Sequence, residues 1–337
     1  GEVSYDITDK WRVVGGARWF EYDRYNYLKN QFPEGLPPWG TMDTDGATLG
    51  QGKTSDILWK GSVQYQIDDS KMAYFLYSQG FRLGGFNSPR AVNTGLVPYE
   101  YDPDTMDNYE LGLKSKWMGG RLLLNATLFH MKWSDYQQGW GDVDGLWWLR
   151  GTFNAADVEQ TGVELNTTFL FTDNLSADFS LFYGSPEWSE DYWQPWQDPD
   201  EDPYIRKGMI MPNSPKWKGW GALNWVIPGL WGTNEAFINY NITFQDETVN
   251  NLGNVSEQDP DGIIPSWNYS NIQFGARFGN DWTVSLFVRN MFDQKAIMWL
   301  DTGSNYISDF FGADWNRNIR SYNRPRTIGL QVRKNWN

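Results

Sequence analysis

The stretch YSQGFRLGGFN, residues 77–87, ends one strand and opens a long polar segment. Reading back from it, residues 72–81 alternate between two sets of side chains, which indicates a β-strand. One face carries Ala73, Phe75, Tyr77, Gln79 and Phe81, and the other carries Tyr74, Leu76, Ser78 and Gly80. A strand with aromatic residues on both faces, followed by a loop of about twenty residues, is typical of a wall between lipid and water.

Composition narrows the possible classes of protein. The chain has 337 residues, a net charge of −14, 21 Trp, one His and no Cys. Each buried tryptophan needs a hydrogen-bond partner for its indole N–H, so a soluble domain rarely has so many, whereas a barrel uses them in belts at the two membrane–water interfaces. No apolar run approaches the roughly 18 residues of a transmembrane helix, so any membrane crossing must use strands. The acidic charge argues against a nucleic-acid partner.

The sequence shows no recognisable catalytic apparatus. Without Cys there are no disulfides and no thiol chemistry, and the single His130 cannot build a histidine triad or a multi-histidine metal site. No nucleophile elbow or phosphate-binding loop appears. We therefore expect no enzyme activity, no catalytic residues, no metal and no cofactor.

Connection lengths give the architecture. Turns of about three or four residues alternate with loops of roughly twenty or more, whereas ordinary connections have a median of about 4–6. This predicts an all-β transmembrane antiparallel barrel with short periplasmic turns and long extracellular loops. The predicted strands are 2–7, 11–22, 56–67, 72–81, 108–117, 121–133, 162–171, 177–183, 216–227, 235–244, 267–278, 282–291 and 327–336. About thirteen strands is an odd number, so the two edge strands run parallel and cannot close the barrel on each other.

Tryptophans near the strand ends predict two membrane girdles. The set near the short turns or the terminus is Trp11, Trp117, Trp231, Trp282 and Trp336. The set near the long loops is Trp19, Trp59, Trp133, Trp217 and Trp267.

Candidate ligand contacts lie at the long-loop end. Arg82 has the parity of the inward face, where it either contacts a ligand or pairs with a carboxylate of the next strand; the pairing is the favoured interpretation. Asn87 follows it in the same stretch. The loop aromatics either stack on a planar ligand or pack together to stiffen the loops. They are Trp140, Trp147, Trp148, Tyr192, Trp193 and Trp196.

Several motifs resemble one family. GFRLGGFN (80–87), DNYELGLKS (107–115), TGVELN (161–166), VRNMFD (288–293) and RPRTIGL (324–330) are similar, in order and rough spacing, to the barrel domain of TonB-dependent outer-membrane receptors. The resemblance implies 22 strands and an N-terminal plug, so residues 1–337 are expected to be the C-terminal part of such a barrel, without the plug and first strands. The last strand, with Ile328, Gly329, Leu330, Val332 and Trp336, also resembles the signal for outer-membrane barrel assembly.

The resemblance implies a receptor in the outer membrane of a Gram-negative bacterium, crossing it many times. Such a receptor captures a scarce small ligand, an iron–siderophore complex or a glycan, and imports it with energy from the TonB complex. Its expected partners are the rest of the receptor or a companion chain that completes barrel and plug, outer-membrane lipid and lipopolysaccharide. A passive porin-like channel or adhesin is one alternative, and a soluble Trp-rich carbohydrate-binding β-protein is another.

Overall fold

One large antiparallel sheet dominates the described residues of the computed structural model, which are 1–27, 48–143, 146–250, 262–279, 281–302 and 318–336. In chain order the strands are β1 (Glu2–Asp6), β2 (Trp11–Tyr27), β3 (Thr48–Asp68), β4 (Lys71–Arg82), β5 (Gly85–Phe86), β6 (Glu100–Tyr101), β7 (Asp104–Trp117), β8 (Leu122–Ser134), β9 (Gln137–Val143), β10 (Leu146–Asn154), β11 (Val158–Thr172), β12 (Leu175–Trp188), β13 (Trp217–Pro228), β14 (Glu235–Gln245), β15 (Thr248–Val249), β16 (Ile263–Ile264), β17 (Trp267–Phe278), β18 (Trp282–Arg289), β19 (Ile297–Thr302), β20 (Asn318–Tyr322) and β21 (Thr327–Lys334). One helical turn, α1 (Pro89–Val92), and two 3-10 turns, Met118–Gly120 and Leu230–Gly232, complete the elements. No helix in the described ranges is long and apolar enough to cross a membrane.

Thirteen of these strands form the sheet, in the order β1-β2-β3-β4-β7-β8-β11-β12-β13-β14-β17-β18-β21. The strand count predicted from the sequence is confirmed. Connections at one end span two to six residues and those at the other end span 20 to 37, so the predicted alternation also holds. The remaining strands form four small hairpins within the long connections. Among the described residues, β1 pairs with β2 alone and β21 pairs with β18 alone.

Several strands extend further toward the long connections than predicted. β3 begins at Thr48 rather than at residue 56, and β12 runs to Trp188 rather than 183. These extensions are rich in polar residues and glycine, so they lack the apolar alternation that marks a membrane-embedded strand. They form because each pairs along its whole length with a neighbour, as β3 does with β2 up to Tyr27.

Register places the apolar and polar residues on opposite faces of the sheet. Residues that pair across strands share a face, and the pairs Val63–Phe75, Phe75–Leu111 and Leu111–Leu128 continue one apolar stripe. We call this the apolar face. Its exposed side chains include Val63, Phe75, Leu111, Leu128, Val163, Leu223, Phe274, Leu286 and Leu330. The polar face carries the alternating residues, among them Gln64, Glu110, Asn166, Asn224, Asn241, Gln273 and Gln331.

Two residues of the opening stretch depart from the alternation. The β3–β4 ladder stops at Lys60–Ser78, and above it the Trp59 amide N–H donates to Gln79 Oε1 at 3.1 Å. Gln79 Nε2 donates to Asp107 Oδ1 at 2.9 Å, so this side chain bridges the gap between the strands. Phe81 was expected on the apolar face, but its ring stacks on Phe20 at 3.9 Å, because β4 has lost its β3 neighbour at this level.

The tryptophans predicted to form the two girdles lie on both faces of the sheet. Trp11, Trp117, Trp282, Trp19, Trp59 and Trp217 are exposed on the apolar face. Trp336 is exposed just beyond β21. Trp231 lies in the turn Leu230–Gly232, and its side chain is outside the described part. The assignment of Trp133 and Trp267 is wrong: they pair with Met106 and Gln245 and belong to the polar face, because closeness to a loop does not fix parity.

Glycines in the motifs lie under aromatic rings on the polar face. A Cβ on Gly112 would overlap the Tyr74 ring, one on Gly162 the Phe129 ring, and one on Gly329 the Phe287 ring. Each ring comes from the neighbouring strand, an arrangement in which the aromatic side chain covers the bare glycine backbone. The glycines of ELGLKS, TGVELN and RTIGL therefore share one role, which is to leave space for the ring of the neighbouring strand.

The apolar and polar faces of the sheet predict where an added charge will destabilise the protein. Leu286→Arg, near the middle of β18 on the apolar face, should cost about 2–4 kcal/mol in the free energy of unfolding in lipid. Gln331→Arg on the polar face of β21 is the matched control and should cost far less. Ser285 is no suitable control, because it is 3% exposed and its Oγ accepts from Gln273. Urea titration in lipid vesicles measures the free energy of unfolding of both variants, and an equal decrease in the two would contradict the register.

The glycines that lie under aromatic rings predict that alanine substitutions on the two faces of the sheet differ in their cost. Gly112→Ala should destabilise by roughly 1–3 kcal/mol, since the Tyr74 ring must move from its place beside Glu110 and Thr127. Gly61→Ala, on the apolar face with no atom within 4 Å of the added Cβ, should be near neutral. The change in gel mobility on heating gives the unfolding temperature of each variant. Equal unfolding temperatures would count against this role for the glycine.

Candidate functional site

The roots of the long connections are held by charged and amide side chains. Arg82, the last residue of β4, lies opposite Asp104, the first residue of β7. Its Nε donates to both carboxylate oxygens at 3.1 and 2.9 Å, and Nη2 donates to Oδ2. Asp104 is fully buried, while the Arg82 side chain is 41% exposed. This pair holds the wall together, as the favoured interpretation of Arg82 states.

The same pair positions the next loop. The Gln137 amide N–H, at the start of β9, donates to Asp104 Oδ2 at 3.0 Å. The Arg82 guanidinium lies over the rings of Trp133 and Tyr136, at 4.5 and 4.6 Å from their centroids. Trp133 thus stacks on a cation at the long-loop end of the polar face, which explains why it is absent from the girdle. Such stacking is stabilising when the cation is partly desolvated.

Asn87 joins two loops. It is 6% exposed, its Nδ2 donates to the carbonyl oxygens of Pro98 and Thr152, and its Oδ1 accepts from the Thr152 N–H at 2.7 Å. The amide therefore ties the loop of residues 83–103 to strand β10. Its hydrogen-bonding groups are occupied by backbone, and a ligand contact by Asn87 stays a prediction.

The loop aromatics form a compact core, which we call the loop core. Trp140 stacks on Tyr192 at 5.5 Å and meets Trp196, Phe153 and Tyr204 at 5.2 to 6.3 Å. Its buried members are Ala91, Val97, Trp140, Leu149, Phe153, Ala156, Val158, Trp188 and Ile205. Burial raises the pKa of the Tyr192 phenol, which stays neutral. Of the two interpretations, packing together describes Trp140, Tyr192 and Trp196.

Other loop aromatics are in different positions. Trp193 is 41% exposed, and its Nε1 donates to the Glu201 carbonyl oxygen at 2.9 Å, which fixes the indole with one side open. Trp147 and Trp148 lie in β10, but their side chains are outside the described part of the chain. Among the candidate aromatics whose side chains are described, Trp193 is the exposed one.

The last long connection has a similar root. Asn290 is 1% exposed, and its Nδ2 donates to the carbonyl oxygens of Gln294 and Arg324 at 3.0 Å. The Asp293 carboxylate accepts from the Arg326 amide N–H at 2.7 Å. The motifs VRNMFD and RPRTIGL thus meet at one loop base.

Sequence reasoning missed Asp104, Trp188 and Phe153. Asp104 was recognisable, because it has the parity to face Arg82 once β4 and β7 are taken as neighbours. Trp188 and Phe153 carried no local signal, since their burial depends on loops far apart in the chain.

Comparison with known proteins agrees with this architecture. A family model described as TonB dependent receptor-like, beta-barrel, matches residues 1–291.

Solved structures show the same fold. The ferric yersiniabactin uptake receptor FyuA from Yersinia pestis is 18% identical, with 99% of this chain and 44% of that protein covered and a TM-score of 0.69. The siderophore receptor PiuA from Acinetobacter baumannii is 13% identical, with 97% and 41% covered and a TM-score of 0.68. The ferripyoverdine receptor of Pseudomonas aeruginosa, solved with ferripyoverdine bound, is 13% identical, with 99% and 37% covered and a TM-score of 0.64. The chain spans less than half the length of each.

The root pair predicts a loss of loop order on mutation. Asp104→Ala leaves the Arg82 guanidinium and the Gln137 N–H without their acceptor, which should cost about 2–3 kcal/mol locally. Limited proteolysis should then cut the β9–β10 hairpin faster. Asp102→Ala is the control, since its exposed carboxylate has no hydrogen bond to any described residue. Equal cleavage rates in the two variants would contradict the anchoring role.

Proposed function

The chain belongs to the TonB-dependent receptor β-barrel family, and on that premise we propose that it forms part of the wall and the mouth of an outer-membrane receptor. This receptor captures a scarce ligand at its extracellular loops and imports it with energy from the TonB system. The polypeptide that completes the barrel and the plug lies outside residues 1–337. It is either the remainder of the same chain or a companion chain.

One observation carries this proposal. The sheet has one apolar face, its long connections all lie at the same end, and several of these connections pack into the loop core. A passive pore needs no such loop assembly. A receptor does, because a preformed loop surface loses less conformational entropy when a ligand binds. The apolar face and its tryptophans argue against a soluble carbohydrate-binding protein.

Charge in the loops favours one class of ligand. Residues 186–204 contain seven Asp and Glu and no Lys or Arg. A surface of this sign lowers the local concentration of anions and favours neutral or cationic partners. Among iron chelates, ferric hydroxamates of neutral or positive charge fit better than ferric tricatecholates. Aromatic stacking also suits a glycan, which is the second ligand class to test.

Uptake by cells tests the proposal. A strain that lacks the receptor is compared with its parent for uptake of labelled ferric hydroxamates, ferric catecholates and oligosaccharides. We expect one chelate class to depend on the receptor, to saturate with concentration, and to stop when a protonophore collapses the proton gradient. Uptake that persists without the gradient and rises linearly with concentration would instead establish a passive channel.

Two loop tryptophans separate capture from loop folding. Trp193→Ala should weaken uptake at low ligand concentration roughly tenfold while the loops stay resistant to protease, because it removes an exposed ring. Trp140→Ala should cost about 3–5 kcal/mol of loop packing and make the loops sensitive to protease. Normal uptake by the Trp193 variant at every concentration would remove this residue from the capture surface.

A further inference from the structure

One edge of β3 is unpaired near the long connections. The ladder between β3 and β4 ends at Lys60–Ser78, whereas β3 continues to pair with β2 above this point. Residues 17–27 and 48–59 therefore form a two-stranded segment, which we call the β2–β3 ribbon. In the described part of the chain, no strand pairs with the other edge of β3 in this ribbon. Unpaired main-chain groups along a strand edge are a template for another strand.

Main-chain hydrogen bonds show which groups point to this edge. The Trp59 N–H donates to the side chain of Gln79 on β4, so it points away from β2. Donors of successive residues in a strand point to opposite sides, so those of Gln51, Lys53 and Ser55 also point to the open edge. These three residues are exposed, and no described residue accepts from their N–H groups.

A cleft opens at the lower end of this edge. The Ile57 N–H donates to Asp56 Oδ1 at 2.7 Å, so a side chain of the same strand occupies this donor. The cleft has a volume of about 320 Å³ and is lined by Asp56 of β3, Gln79 and Gly80 of β4, and Thr105 of β7. There is therefore space beside β3 where the neighbouring strand would continue in a regular sheet.

A second extended strand shows how the protein covers such an edge elsewhere. β12 also continues beyond its ladder with β13. The connection that follows β12 folds back along it, so that the Trp188 N–H donates to the Met209 carbonyl oxygen and the Met211 N–H to the Pro186 carbonyl oxygen, both at 2.9 Å. The edge of β12 is thus covered by the chain itself, whereas no described residue covers the edge of β3 in this way.

The β2–β3 ribbon is held in place from the polar face. Arg24 Nη2 donates to Glu100 Oε1 of β6 at 2.8 Å, and the Arg24 side chain is 12% exposed. The Phe86 ring of β5 lies against Gly50 and Gly52, where an added Cβ would be 2.8 and 3.1 Å from it. An edge that is already ordered loses less conformational entropy when a partner binds.

The usual protection of an exposed strand edge is weak here. Such edges are often blocked by proline or by a charged side chain, especially lysine. Residues 48–59 contain no proline, and their one lysine, Lys53, is paired across the ribbon with Glu21 at 2.8 Å. The sequence therefore leaves this edge able to accept a strand.

We propose that the β3 edge of the β2–β3 ribbon binds an extended segment of another polypeptide, which adds to the ribbon as a further strand. Main chain supplies the matching donors and acceptors, as in other cases of β-augmentation. Alternate side chains of the added strand lie beside Ile57 and Trp59, which are exposed on the apolar face, and beside Asp56, which has no ion pair with a described residue. The segment that fits best alternates apolar and basic residues.

Peptide binding to the complete receptor in mild detergent tests this assignment. The first probe is a fluorescent peptide in which valine alternates with lysine and threonine, and its anisotropy measures the bound fraction. The second probe has the same sequence with N-methyl groups on its main-chain nitrogens, so it keeps the side chains but cannot donate. Wild type should bind the second probe roughly tenfold more weakly than the first, as expected for the loss of one or two main-chain hydrogen bonds.

Two substitutions at Ser55 test the same point on the receptor. Ser55→Pro removes an N–H that points to the open edge and takes no part in the ladder with β2, a position where a strand tolerates proline. This variant should bind the first probe roughly tenfold more weakly. Ser55→Thr is the matched control, because it changes the side chain but keeps the N–H, and it should bind as wild type does. Gel mobility on heating checks that both variants are folded.

Four results would overturn the proposal: no binding of the first probe, equal binding of the two probes, normal binding by Ser55→Pro, or an equal loss in Ser55→Thr. If Ser55→Pro does not fold, the two probes on wild type still decide. Sedimentation without peptide tests another occupant, since a wild-type dimer that Ser55→Pro dissociates would assign the edge to a second copy instead. Ligand uptake takes no part in these measurements, so their outcome is separate from that of the transport proposal.

Discussion

Hydrocarbon supplies no hydrogen bonds, and this constraint governs the structure. An unpaired backbone N–H or C=O costs several kcal/mol in lipid, so membrane strands must be paired on both sides. From β2 to β18, each strand of the sheet has two neighbours. Where the β3–β4 ladder ends, the Gln79 side chain accepts from the Trp59 amide in place of main chain. A glutamine on an otherwise apolar face is explained by this need.

The same constraint explains which residues form recognisable motifs. Side chains on the apolar face need only be apolar, so many substitutions serve equally well. Positions at the loop roots are more demanding: Asn87 and Asn290 each satisfy several donors or acceptors at once. Glycines 112, 162 and 329 must leave space for a ring. The recognisable stretches are therefore those in which one residue type meets several conditions.

This difference also decides what the sequence could predict. Strand number, turn position and the faces of β3 or β18 follow from a period of two, which is local. Trp133 and Trp267 were misplaced, since position along a strand was used without parity. The loop core was beyond reach: Asn87 bonds Thr152, 65 residues away, and Trp140 stacks on Tyr192. No local sequence pattern encodes these contacts between distant loops, because loop residues lack the regular alternation of a strand.

The side-chain contacts at the loop roots and the aromatic loop core together keep the long connections ordered. Each buried tryptophan withdraws about 150–250 Å² from water, worth several kcal/mol at roughly 25 cal/mol per Å². That gain offsets the conformational entropy lost when the long connections become ordered. Trp140 and Trp188 are buried in this core, whereas Trp193 is exposed. The buried aromatic residues stabilise the loop core, and the ligand contact proposed for Trp193 would use a surface that is already ordered.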